Sequence, residues 1–106
     1  MALKRGDVVL VAEGKPRPSV IVQSDRVPTP GSVILCPLTS VLIDAPIYRP
    51  TILPSTLNGL KVTSQIMADR VSLARFSRID DVIGRLAAGD LELFDQTLIT
   101  VLDLGG

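Results

Sequence analysis

Apolar positions along this chain follow two rhythms. From Asp7 to Leu73 they come in short runs or alternate with polar residues, the period-two habit of strands. Beyond Ser77 they recur every three or four residues, the spacing of one helix face. Asp7-Val-Val-Leu-Val-Ala12 is apolar and β-branched after a glycine, which predicts a buried first strand. Glu13-Gly-Lys-Pro16 is a tight link into a second strand, Pro18-Ser-Val-Ile-Val-Gln23, and Ser32-Val-Ile-Leu-Cys-Pro-Leu38 reads as a third. Ser24, Asp25, Pro28, Pro30 and Gly31 between them favour turns, so the last two strands form a hairpin. Pairing about the middle of that loop makes paired residue numbers sum to about 56, which sets Val20 against Cys36 and Arg17 against Thr39. Pro46, Pro50, Pro54 and Asn58-Gly59 then fragment the chain, leaving one short strand near Thr51-Ile-Leu53. Leu60–Met67 and Val71–Leu73 are the remaining strand candidates, with a turn at Ala68-Asp-Arg70.

Ser77 with Asp80 three places on has the form of a capping box, and Ile79, Val82, Ile83 and Leu86 make an apolar stripe that Gly89 ends. Asp90 is placed to cap a second helix, in which Leu91, Phe94, Leu98, Val101 and Leu102 share a face. Five to six short strands followed by two short helices predict one domain over residues 1–106, a mostly-β barrel with a helical C-terminus.

Composition narrows what such a domain does. With 106 residues it can bury only a modest core, and pairing with a second copy would help it. No apolar run approaches the ~20 residues of a membrane span, and Met-Ala-Leu-Lys-Arg-Gly-Asp lacks a signal peptide's apolar core, so a soluble cytoplasmic protein without membrane contact is expected. Cys36, the single cysteine, lies in an apolar strand and reads as a small buried hydrophobe. There is no histidine. That removes Ser-His and Cys-His nucleophile pairs and the usual zinc ligand sets, so no metal and no cofactor are expected. Formal charge is zero, yet residues 1–78 carry ten Lys/Arg against five Asp/Glu, while residues 79–106 carry Arg85 against six acids. The body is therefore +5 and the tail −5, which suits an anionic ligand on the body.

RNA cleavage is chemistry open to such a chain. The ribose 2′-hydroxyl attacks its own phosphate, and the protein has to align the groups and stabilise charge on the phosphoryl oxygens, for which an arginine fork and a hydroxyl donor suffice. Arg17 stands between Pro16 and Pro18, which restrict its backbone, and Thr39-Ser40 ends the partner strand with two hydroxyls. The structural alternative is an Arg17 paired with a carboxylate and a Thr39 that only caps a turn.

Arg5-Gly-Asp-Val-Val9, Pro16-Arg-Pro18 leading into Val20-Ile-Val-Gln23, and Pro37-Leu-Thr-Ser40 resemble, in order, the MazF/PemK family of toxin endoribonucleases. Ser64-Gln-Ile66 and the segment Leu98-Ile-Thr-Val-Leu102 fit the same pattern, so the similarity spans most of the chain. The resemblance implies an SH3-like β-barrel homodimer that cuts single-stranded RNA at short sequences to inhibit translation and growth. It implies action without metal, a 2′,3′-cyclic phosphate product, a cognate antitoxin, and contact with DNA only through the antitoxin complex. The family's arginine falls on Arg17 and its threonine on Thr39 as catalytic residues; Lys15, Ser40 and Gln65 would contact the substrate.

Two departures accompany it. The family's long mobile link between the first two strands is here the short Glu13–Pro16, and aromatic residues amount to 3%, leaving Tyr48 as the one stacking candidate, with a packing role as its alternative. Val22-Gln-Ser-Asp25, Thr29-Pro-Gly31 and Pro37-Leu38 with Ser40 also resemble the CcdB toxins, which poison DNA gyrase by binding. Those toxins grip gyrase through a C-terminal Trp-Gly-Ile, whereas this chain ends Leu104-Gly-Gly106 and has no tryptophan.

Overall fold

The computed structural model describes residues 2–12 and 14–105. Seven strands precede one helix: β1 (Asp7–Val11), β2 (Arg17–Ile21), β3 (Ser32–Thr39), β4 (Thr51–Ile52), β5 (Ser64–Ile66), β6 (Ser72–Arg75), β7 (Ile79–Arg85) and α1 (Ala88–Leu102). The sheet runs β4-β5-β3-β2-β1-β7, and β6 also pairs with β3. β3 is the hub. One edge of it takes β2, while the other is shared, Ser32–Leu35 pairing with β6 and Leu38–Thr39 with β5. The path ends at β4 and β7 without joining, a half-barrel where a barrel of five to six strands was expected.

The hairpin follows the expected register, with Val20 opposite Cys36. Its strands are apolar at consecutive positions because both faces are covered. Val8, Val20, Cys36 and Leu38 pack with Phe94 and Leu98 of α1 on one face, and Val9, Ile21, Val33 and Leu35 with Ala74 and Ile79 on the other. Of the expected helix face, Phe94 and Leu98 are buried, Leu91 and Val101 are half-buried, and Leu102 is exposed.

The first expected helix does not exist. A 3-10 turn at Phe76–Arg78 leads straight into β7, antiparallel to β1. The misleading spacing comes from irregular pairing: Ile79 and Val82, three apart, lie opposite Val11 and Val9, which are two apart, because the register shifts between Leu10 and Val11; a second shift, between Val8 and Val9, sets Gly84 and Val82 opposite those adjacent residues. Extra residues on β7 stretch a period of two towards a helical one. Gly89 therefore stops nothing and sits in the first turn of α1, whose N-cap is Ala87 and not Asp90; Asp90 lies in that first turn, where its charge complements the helix dipole. The expected strand Leu60–Met67 contracts to β5, and Val71–Leu73 shifts to β6.

Candidate functional site

β2 and β3 run antiparallel, so the start of one meets the end of the other. Beyond the last ladder pair, Ser19 with Pro37, the same register continues towards Arg17, the first residue of β2, and Thr39, the last of β3. Arg17 is also held from its other side, opposite Val11 of β1. Its side chain is exposed and, among the described residues, pairs with no carboxylate. The two other clear ion pairs show the contrast: Arg5 lies 2.6 Å from Asp95, and Arg49 lies 2.9 Å from Asp69.

A groove of about 700 Å³ opens around this rim. Lys15, Arg17, Thr39 and Ser40 all line it, which unites four of the five residues singled out from the sequence. Its walls are aliphatic, with Leu10, Pro16, Pro18, Leu38 and Ile83, and no acidic side chain lines it among the described residues. Thr39 is half-buried, and its Oγ1 accepts the backbone N–H of Val41 at 3.1 Å. That bond occupies an acceptor lone pair and leaves the hydroxyl hydrogen to be donated outward. Cations and a hydroxyl donor facing one aliphatic cleft are groups that could hold an anion such as a phosphodiester.

Gln65 is placed differently. It is buried opposite Thr39, its Oε1 accepts from the Ile43 N–H at 3.1 Å, and its Nε2 donates to the Ile43 carbonyl at 2.9 Å and to Thr51 Oγ1 at 3.3 Å. With its amide committed on both sides it fastens the segment after Ser40, and it does not line the groove. Tyr48 is likewise outside the lining; its ring lies 5.7 Å from the Arg49 guanidinium, which forks onto Asp69. Cys36 is fully buried, and burial, aided by the charge of Asp69, pushes its thiol up to about 12, so it stays protonated and unreactive at neutral pH.

The far wall consists of Gly59, Leu60, Lys61, Val62 and Ser64, none of which was a candidate site residue from the sequence. The buried Asn58 side chain shapes it, accepting from the N–H groups of Ser55 (3.0 Å) and Leu60 (2.9 Å) and donating to the Leu53 carbonyl (2.9 Å). Gly59 has φ +70°, and a Cβ there would lie 2.2 Å from the Ile83 carbonyl oxygen. Asn58-Gly59 was legible as a turn; that the turn walls a groove was not.

A family model described as a PemK-like, MazF-like toxin of type II toxin-antitoxin systems matches residues 4–102. The chain belongs to the PemK/MazF toxin family. A probable endoribonuclease MazF of Mycolicibacterium smegmatis is 36% identical over 109 residues, spanning 98% of this chain and 100% of that protein. Among solved structures, an endoribonuclease in complex with its cognate antitoxin from a mycobacterial species superposes with TM-score 0.81 at 23% identity, covering 97% of each chain. A MazE-MazF structure from Deinococcus radiodurans gives 0.79 at 22% identity over 96% of each chain. These relatives are MazF proteins, and the gyrase-poison alternative is not favoured.

Proposed function

We propose that this protein is the toxin of a type II toxin–antitoxin pair and an endoribonuclease that cuts single-stranded RNA in the groove at the β2–β3 rim. The observation that carries this is an exposed Arg17, without a carboxylate partner among the described residues, sharing one groove with the Thr39 hydroxyl. The family and the MazF relative support the reaction class. In the cut, a bond forms from the ribose 2′-oxygen to phosphorus, the bond to the 5′-oxygen breaks, and a proton passes in net terms from the first oxygen to the second. A 2′,3′-cyclic phosphate and a 5′-hydroxyl result.

Arg17 stabilises the charge gathering on the phosphoryl oxygens, and the Thr39 hydroxyl donates to one of them. A guanidinium is a permanent cation in a protein, so the part of Arg17 is electrostatic. Lys15 and Ser40 hold the strand on either side. The chain has no imidazole, and the proposed reaction draws its charge stabilisation from the Arg17 guanidinium and the Thr39 hydroxyl, so it needs no metal ion. Gln65 serves by fixing the segment that leaves Ser40. The cationic, aliphatic groove would also suit the acidic tail of a cognate antitoxin, and the small core favours a homodimer.

Purified protein incubated with single-stranded RNA in EDTA tests this. Fragments with 5′-hydroxyl and 2′,3′-cyclic phosphate ends are expected. Intact RNA, or fragments with 5′-phosphates, would overturn the reading.

A further inference from the structure

We propose that Lys61 is a substrate-binding residue that grips a phosphate flanking the one cut. The inference rests on the endoribonuclease reading and deepens it. Sheet order decides where Lys61 stands. β3 lies between β2 and β5, so the groove has Arg17 and Lys15 on its β2 side, Thr39 and Ser40 at the end of β3, and Lys61, three residues before β5, on the other side. Adjacent strands are ~4.8 Å apart, so the backbones that carry the two cationic sides lie roughly 10 Å apart across β3. Cations rooted on opposite sides of the cleft can each take a different phosphate of a strand lying along it. They fit successive phosphates of one strand.

Two further observations separate Lys61 from an ordinary surface lysine. Its side chain, exposed and lining the groove, pairs with no carboxylate among the described residues, unlike Arg5 and Arg49. The segment that carries it is also fixed in place. Asn58 ties together Leu53, Ser55 and Leu60, Gly59 is wedged against the Ile83 carbonyl, and Ser64 Oγ donates to the Val62 carbonyl at 3.0 Å. A constrained loop fixes the lysine's backbone at the groove wall, so only its side chain has to be ordered on binding. The contact assigned to it is with phosphate and carries no sequence preference.

The test compares the intact protein with Lys61→Gln and Lys61→Arg in cleavage kinetics, and in binding of a single-stranded oligoribonucleotide whose scissile ribose is 2′-deoxy, across a salt series. Expected for Lys61→Gln are a KM and Kd raised roughly threefold to tenfold, kcat within about twofold of the parent, and a slope of log Kd against log salt reduced by about 0.7, one phosphate contact on a single strand. Lys61→Arg restores both. A parent that cuts RNA while Lys61→Gln matches it in KM, Kd and salt slope would overturn the assignment alone. A loss confined to kcat would overturn it too. A parent that neither binds nor cuts RNA would overturn the endoribonuclease reading together with it.

Discussion

The two walls of the groove are built by different means. On the hairpin wall, Arg17 and Thr39 project from strands whose register is set by alternation and a turn, and their side chains are free to meet a ligand. On the far wall, the backbone itself does the shaping: a Cβ on Gly59 would lie 2.2 Å from the Ile83 carbonyl oxygen, and on β7, against which this turn packs, one on Gly84 would lie 2.3 Å from the Leu57 carbonyl oxygen. Substitutions should therefore separate: those at Arg17 and Thr39 should cost rate, and those at the tightly packed glycines should cost stability.

The largest stability effect is expected at Gly84→Ala. The new methyl meets backbone on the Leu57–Asn58 segment and cannot be relieved by a rotamer change, so the loss should reach or exceed the upper end of the ~1–3 kcal/mol usual for overpacking. Arg17→Ala, at an exposed position, should stay within about 0.5 kcal/mol of the parent. Urea unfolding midpoints compare the two, and equal midpoints would erase the distinction between the walls.

A smaller effect sharpens the picture at the segment following Ser40. The Arg49 fork, first among the causes, holds the Asp69 carboxyl below the usual aspartate range. A carboxyl with a lowered folded pKa contributes stability that is present above its unfolded value, about 3.9, and is lost as pH falls through the folded one. The difference in Tm between the parent and Arg49→Met should therefore be small, constant from neutral pH down to about 4, and shrink below it. A difference that grows on acidification would contradict the fork as its source.

What could be read from the residues divides along the same line. The hairpin and its register were legible because turn residues and alternation act locally, and four of the five candidate residues share the groove at its rim, though their roles were read from the family resemblance. β7 was not, because its two register shifts against β1 imitate a helical period, and only pairing with β1 reveals them. Gln65 was legible as a strand residue of interest, but its amide partners at Ile43 lie 22 residues away, and no local pattern announces them. Lys61 carries no signal beyond its charge after a turn. Its place on the groove follows from the sheet order that sets β5 beside β3.

Single-turnover cleavage of a single-stranded RNA by Arg17→Ala and Thr39→Ala, each verified as folded, tests the central claim most directly. The account predicts a fall in rate of about 10²- to 10³-fold for each, with unfolding midpoints near the parent's. Full activity in Arg17→Ala would contradict it.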